Sequence, residues 1–331
     1  MIEFASILNL TICFAVPLLL VALGGMYSER SGVINIALDG IMIMGALVGC
    51  LVLKAMDASG WGDSVGKAQL GVLLAALIAG ASGIVFSLLL AFAAINLKAD
   101  QTIGGTALNI FAPAFAVVLA WAVQGQSHTD ISIPGWTRLK AEALGITGQV
   151  NVDFLATLFK KFYITIPLAV ILLAVAWFVL FRTRFGLRLR SCGEHPQAAA
   201  SVGISVYKMR YSGVMISGFL GGVGGLAYVL VAALSFSGNV GGYGFLALAV
   251  MIFGNWMPGR ILFSALFFAL FKVIGTYYKL LPFLPKFEGV QKVSNLYNLL
   301  PYIVTLLVLI FTSKKSRAPK AEGIPYDKGM R

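Results

Sequence analysis

Residues that could carry chemistry are few in this chain. His128 and His195 are the only histidines, and neither belongs to an HExxH pair. No GxSxG turn and no group of acids at metal-ligand spacing is present. Cys13, Cys50 and Cys192 stand far apart without a CxxC pair, which argues against a zinc site and against a disulfide framework. Cys13 and Cys50 sit in apolar runs and read as small buried hydrophobes. A phosphate-binding loop is also missing: Gly62–Lys67 has the wrong spacing, and Gly254–Arg260 ends on Arg where the motif needs Lys. The expectation is a protein that is not an enzyme and binds no metal or cofactor of its own. What remains are isolated polar groups in apolar surroundings, chiefly Asp39 and Lys272.

Those surroundings define the class. Of 331 residues, 59% are hydrophobic and 11% charged, against about 25% charged in a soluble domain. Such a chain needs lipid around it. The net charge of +12 could suggest nucleic acid, but the basic runs Arg182–Arg190 and Lys314–Arg331 lie beside long apolar stretches, the usual cytoplasmic mark of a membrane protein. No nucleic-acid partner is expected. The N-terminus carries Glu3 and no basic residue ahead of the first apolar run, so it reads as a retained spanning helix, interrupted by Pro17, rather than a cleavable signal.

A helix needs about 20 apolar residues to cross a bilayer. Candidate spans lie near Ile7–Leu23, Ile34–Leu53, Leu70–Ile95, Thr106–Val123, Ile164–Phe181, Tyr211–Leu234, Phe245–Trp256, Ile261–Tyr277 and Leu299–Thr312. The fold class expected is an all-α integral membrane protein with about nine to ten transmembrane helices. The basic residues place the Arg182–Arg210 loop and the Lys314–Arg331 tail in the cytoplasm, and the N-terminus and the loop Gln124–Tyr163 outside. The organisation expected is a transmembrane domain over 1–312 and a basic cytoplasmic tail over 313–331. The tail, polar and containing Pro319 and Pro325, reads as a flexible end.

Glycine is abundant, at 37 residues, and recurs at helical spacing: Gly45 and Gly49, Gly218 and Gly222, Gly221 and Gly225. Small residues four apart let helices approach closely in a bilayer. Packing inside one subunit and contact between subunits both fit the spacing.

Three polar segments interrupt the apolar pattern. Ser28–Gly40, SERSGVINIALDG, joins the first two spans, with Glu29 and Arg30 at the membrane edge. Asn35 and Asp39 are four apart and would share one face of a helix. Asp39 is either hydrated at the cytoplasmic surface or part of a polar lining. Phe185–Val206, FGLRLRSCGEHPQAAASVGISV, is too polar to cross. Pro196 is placed to start a short helix, Glu194 to favour its N-terminus, and Gly203 to close it. That helix either lies on the membrane or docks a partner. Gly241–Arg260 has an apolar part too short for an easy crossing, then Asn255, Pro258 and Gly259, which force a turn. It fits a re-entrant or short span, or a compact helix hairpin.

Together these motifs resemble the permease family shared by bacterial simple-sugar, ribose-type and nucleoside ABC importers, over about Leu18 to Leu309. SERSGVINIALDG resembles that family's first motif, and QTIGGTALN, Gln101–Asn109, its next. GEHPQAAASVG, Gly193–Gly203, resembles its ATPase-coupling loop. Phe245–Pro258 and LPYIVTLLVL, Leu300–Leu309, also match. The first two motifs look most like the second of two non-identical permeases in nucleoside-type systems. Asp39 departs from the family by standing where Glu is common, and the loop Leu280–Asn298 matches poorly.

The resemblance implies a multi-pass protein of the bacterial inner membrane that lines the path for nucleosides or related sugar-containing solutes. It implies a homologous second permease, an ATPase subunit that uses ATP, an extracytoplasmic solute-binding protein and the lipid bilayer as partners. It places Gly193, Glu194, Pro196, Ala198, Ala199 and Gly203 in a cytoplasmic coupling helix within the loop 182–210. Asn35, Asp39 and Asn109 fall on the translocation path or its gate. The rivals are a permease for monosaccharides or branched-chain amino acids, and a stand-alone secondary transporter. The near absence of charge from the spans disfavours a carrier coupled to protons or sodium.

Overall fold

The computed structural model describes residues 2–125, 130–139, 153–154, 157, 159, 162–277, 299–300, 303–304, 306–307, 310 and 317–327. Ten helices run through them. These are α1 (Ile2–Arg30), α2 (Leu38–Ala58), α3 (Val65–Ala91), α4 (Gln101–Gln124), α5 (Thr165–Arg182), α6 (Arg184–Glu194), α7 (Pro196–Ser201), α8 (Val206–Tyr228), α9 (Tyr243–Phe253) and α10 (Pro258–Tyr277). Among the described residues, seven helices are long and apolar enough to cross a membrane. They are α1 to α5, α8 and α10, with α3 and α8 each prolonged by a five-residue π turn. The expected span Phe245–Trp256 is the 11-residue α9, too short to cross alone. The expected Leu299–Thr312 span lies mostly outside the described residues, as does the loop Leu280–Asn298.

Burial sorts the spans into layers. The apolar windows of α1 and α8 are 78% buried, whereas those of α4 and α5 are 17% and 22% buried. The first pair is therefore the protein interior, and the second leaves Ile103, Ile110, Val118, Val170 and Val175 exposed on the outside of the bundle. Pro17 and Pro113 sit inside α1 and α4. Proline is tolerated there because packed neighbours take over the freed backbone groups.

Helix α8 is the hub, and its glycines explain why. A Cβ on Gly222 would stand 2.2 Å from the Ala79 carbonyl oxygen of α3, and one on Gly225 would stand 2.0 Å from the Met42 carbonyl oxygen of α2. A Cβ on Gly45 would meet Gly222 at 2.3 Å, and one on Gly24 the Ser217 carbonyl oxygen at 2.9 Å. Backbones touch where side chains would otherwise stand. Of the two uses open to the glycine spacing, the structure realises packing within one subunit.

At one end of the bundle the strands β1 (Ile131–Ser132) and β2 (Ser235–Phe236) pair antiparallel, with Ile131 opposite Phe236. At the other end α1 finishes, α6 and α7 lie, and the segment 317–327 crosses. That end carries Arg30, Arg190, Arg260 and Arg317, and is called the basic face below.

Candidate functional site

The connection between α1 and α2 is not helical. Residues 31–37 form turns and extended chain before α2 begins at Leu38. Irregular backbone inside a membrane bundle must find partners in the protein. The sequence supplies them from two other helices, α4 and α8. Gln101 Oε1 accepts from the Ile34 N–H at 2.7 Å. Asn35 Nδ2 donates to Ser217 Oγ at 2.8 Å. Asn109 spans the break: its Nδ2 donates to the Ile36 carbonyl, and its Oδ1 accepts from the Gly40 N–H, each at 2.8 Å. An amide is the one neutral side chain that offers a donor and an acceptor side by side. Asn109 stands about 12 Å beyond Gln101 along α4 by helical rise, so the break penetrates the bundle.

Asp39 lies in the first turn of α2 and is half-buried. Its Oδ1 accepts from the Gly244 N–H at 2.8 Å, at the start of α9. A carboxylate at a helix N-terminus meets unpaired N–H groups and the positive end of the dipole. Asn35 is fully buried ahead of α2. The expectation that Asn35 and Asp39 share a helix face is corrected, because no helix exists at position 35. The two residues instead tie α8 to the break and α9 to the helix that follows it.

The loop expected over 182–210 is largely helical. Thr183 caps α6 by accepting from the Gly186 N–H. Pro196 opens α7, as expected from its fixed φ and missing donor. Gly203, at φ +82°, turns the chain away after α7, a conformation that costs glycine little. Glu194 ends α6 and reaches Arg30 at 3.9 Å; it does not cap α7. Gly193 is buried, and a Cβ there would lie 2.4 Å from the Arg30 carbonyl oxygen. Ala199 is 4% exposed and packs with Cys192, Val206 and Tyr326, so it faces inward. The outward face of this element carries Ala198, exposed, and Val202, 74% exposed. Burial raises the pKa of the Cys192 thiol, which fits a packing role.

The tail is the second correction. Residues 317–327 do not form a free end; they cross the basic face as a strap. The Ala321 N–H donates to the Gly193 carbonyl at 2.8 Å, and the Arg317 N–H donates to Asn255 Oδ1 at 2.8 Å. Arg210 Nη1 donates to the Ile324 carbonyl at 2.9 Å, and Lys98 Nζ pairs with Asp327 at 2.7 Å. Tyr326 packs edge-on against Tyr207 with ring centroids 5.6 Å apart. Arg210, expected at the membrane surface, is 1% exposed inside α8 beneath the strap. A polar, proline-containing segment can dock when its backbone groups meet buried donors and acceptors. That match lies in residues far away in sequence.

The corner between α9 and α10 is held from the same side. Asn255 and Trp256 both have φ +53°, in the left-handed region that side chains disfavour. Trp256 Nε1 donates to Glu29, and Arg30 Nη2 donates to the Trp256 carbonyl at 3.1 Å. Glu29 is thereby buried in the protein; it does not mark a hydrated membrane edge. The break, the α6–α7 element, the corner and the strap form one hydrogen-bonded assembly.

The sequence singled out Asn35, Asp39, Asn109, Gly193, Glu194, Pro196, Ala198, Ala199 and Gly203. The structure puts the first three around the break and the other six in α6, α7 and the turn after them. It links the two sets through Gly193, the strap and Arg30. Gln101, Ser217, Gly244 and Arg210 were missed as individual site residues. Gln101 was legible as a polar residue opening an apolar helix, but its partner was not.

A helical bundle with a deep interruption between its first two spans, and a surface helix pair packed against that interruption, defines a polytopic membrane permease. The chain belongs to the family described as branched-chain amino acid transport system / permease component, whose model matches residues 7–311. It is similar to the guanosine ABC transporter permease protein NupQ of Bacillus subtilis (strain 168), with 42% identity over 324 residues, covering 97% of this chain and 96% of that protein. It is similar also to the nucleoside ABC transporter permease protein NupC of Lactococcus lactis subsp. cremoris (strain MG1363), with 38% identity over 319 residues, covering 95% and 94%. No solved structure matches the chain. The protein is a multi-pass permease of the inner membrane.

Proposed function

We propose that this permease carries nucleosides through an ABC importer and draws its energy from a separate ATPase. The observation that carries the reading is the outward face of α7 and its following turn, where Ala198 and Val202 stand exposed on an element bonded through Gly193 to the strap. A small residue beside an exposed valine is a surface suited to a protein groove, and the basic face then belongs to the cytoplasm. An ATPase seated there pushes on α6 and α7, and the push reaches the break through the strap and Arg30. A break held by Asn35 and Asn109, with Asp39 just beyond it, is a place where the path changes shape. Asp39 and Asn109, both half-buried, are better placed to meet solute than the fully buried Asn35.

The cargo reading rests on the two relatives aligned over nearly their full length, both named as nucleoside permeases. The family description names branched-chain amino acids, and that is the second reading. A second permease completes the channel, an extracytoplasmic solute-binding protein delivers cargo, and some nine to ten spans with a cytoplasmic coupling helix make up the chain. The chain itself performs no chemistry, binds no cofactor or metal, and leaves ATP to its partner.

The test pairs two substitutions one residue apart. Ala198→Arg is expected to leave the protein folded in the membrane while abolishing ATPase retention and nucleoside uptake. Ala199→Arg forces a charge among Cys192, Val206 and Tyr326 and is expected to lower the folded yield. Normal ATPase retention and uptake in Ala198→Arg would remove the docking assignment. Uptake of labelled leucine, competed by unlabelled leucine but not by nucleosides, would favour the second reading.

A further inference from the structure

A cavity of about 460 Å³ opens on the basic face. Arg30, Arg190, Arg260, Arg317 and Lys320 line it, with Glu194 as the carboxylate among them. Four separate pieces of chain deliver these cations: the end of α1, α6, the start of α10 and the strap. Placement of basic residues at a cytoplasmic face explains their presence there. It does not explain their convergence on one concave space.

Among the described residues two carboxylates, Glu194 and Glu322, act on Arg30, against the five basic side chains that line the cavity. Glu194 reaches Arg30 only at 3.9 Å. The Nε atoms of Arg30 and Arg190 are buried and find no acceptor among the described residues. The plane of Arg190 is stacked over Phe181, with its carbon 4.9 Å from the ring centroid, which holds the guanidinium in a fixed orientation. Helices α1, α5 and α9 end nearby, but each contributes only about half a negative charge, dispersed over its last turn. Like charges gathered in a recess repel unless an anion joins them. Guanidinium forks match phosphate oxygens two at a time, and lysine adds a point charge.

We propose that this cavity is a binding site for a phosphoryl anion. The two sources of that chemistry are the phosphate of an anionic phospholipid headgroup in the adjoining leaflet and a soluble phosphate compound. The site lies at the level where three membrane helices end, within reach of either. The lipid source rests on the assignment of the basic face to the cytoplasm made above. Occupancy would join α1, α6, α10 and the strap through one ligand, and so stabilise the docked strap.

The test is thermal unfolding of the full chain purified in neutral detergent, at constant ionic strength set with chloride. The probes are inorganic phosphate, ATP, and short-chain phosphatidylglycerol, with short-chain phosphatidylcholine as the zwitterionic control. At least one of the three anionic probes is expected to raise the unfolding midpoint in a saturable way, while phosphatidylcholine does not. The variant R260Q/R317Q/K320Q is expected to weaken the apparent affinity about tenfold or more, the size of losing charged hydrogen bonds. A response to phosphatidylglycerol alone assigns the lipid source, and a response to phosphate or ATP the soluble one. If the triple variant fails to fold, R260Q and K320Q, both on exposed side chains, are measured singly, with R260K expected to retain binding. No response in the wild type, or an equal response in the variants, overturns the proposal. The readout involves neither ATPase docking nor uptake, so its failure leaves the permease reading standing.

Discussion

The backbone N–H of Ala321 donates to the carbonyl of Gly193 at 2.8 Å, which joins the far C-terminal segment to the helix pair on the basic face. The same segment holds Arg210 through Ile324 and Lys98 through Asp327. The strap therefore closes the assembly that surrounds the break in the first two spans.

Truncation after residue 316 should expose this dependence. Arg210 would lose its acceptor at Ile324 while remaining in the interior of α8. Loss of a hydrogen bond to a charged group costs about 1.5–3 kcal/mol. The expected outcome is a lower unfolding midpoint in detergent and reduced uptake at equal membrane abundance. A truncated protein matching the full chain in both measurements would show that the strap is dispensable.

Asn109 is predicted to be essential to the break. Asn109→Leu keeps similar volume but leaves the Ile36 carbonyl and the Gly40 N–H without partners. Each unsatisfied buried group costs about 1–3 kcal/mol, so the folded yield should fall sharply. Asn109→Asp keeps an acceptor for Gly40 and loses the donor for Ile36, and should fall between wild type and Asn109→Leu. Fluorescence-detected size exclusion of the three proteins gives the ranking, and equal profiles would contradict it.

Helix α8 makes a steric prediction. Gly222→Val places a branched side chain where a Cβ already meets backbone of α3 at 2.2 Å, with nothing flexible to yield. Overpacking costs about 1–3 kcal/mol or more, and here two helices would have to separate. Gly66→Val, at a helical site with no atom within 4 Å of the added Cβ, is the control. The first is expected to prevent accumulation of folded protein and the second to be silent. Silence at both positions would mean that α3 and α8 do not pack through Gly222.

Glu322 gives the strap a pH dependence. Burial raises its pKa above the ordinary carboxylate value of 4.5, while Arg30 and a hydrogen bond with Glu29 oppose the rise. A carboxyl with a raised folded pKa stabilises while protonated. The contribution is complete below the unfolded value and is lost as pH climbs through the folded one. Wild type should therefore lose stability relative to Glu322→Gln as pH rises from the carboxylate range toward neutrality. Unfolding midpoints of the two proteins across that range are the measurement, and a constant difference would show that Glu322 does not titrate with docking.

Local signals determined a good part of this protein. Apolar runs and sparse charge required a membrane bundle. The polar stretch 28–40 required an interruption, and Pro196 and Gly203 opened and closed a short helix, because φ restriction and left-handed freedom act within a residue or two. Small residues four apart announced close helix contact. Tertiary structure decided the rest. Whether the glycines of α8 met another subunit or α2 and α3 depended on chain over 130 residues away. Ala198 and Ala199 have the same side chain, and only the packing of Cys192, Val206 and Tyr326 makes one outward and the other inward. The basic tail reads as solvated by composition, yet it docks because the Gly193 carbonyl, the Arg210 guanidinium and the Asn255 side chain converge to meet its backbone. Hydrogen-bond partners of that separation leave no periodic trace, since each residue alone is compatible with water or with burial, and only the assembled bundle chooses.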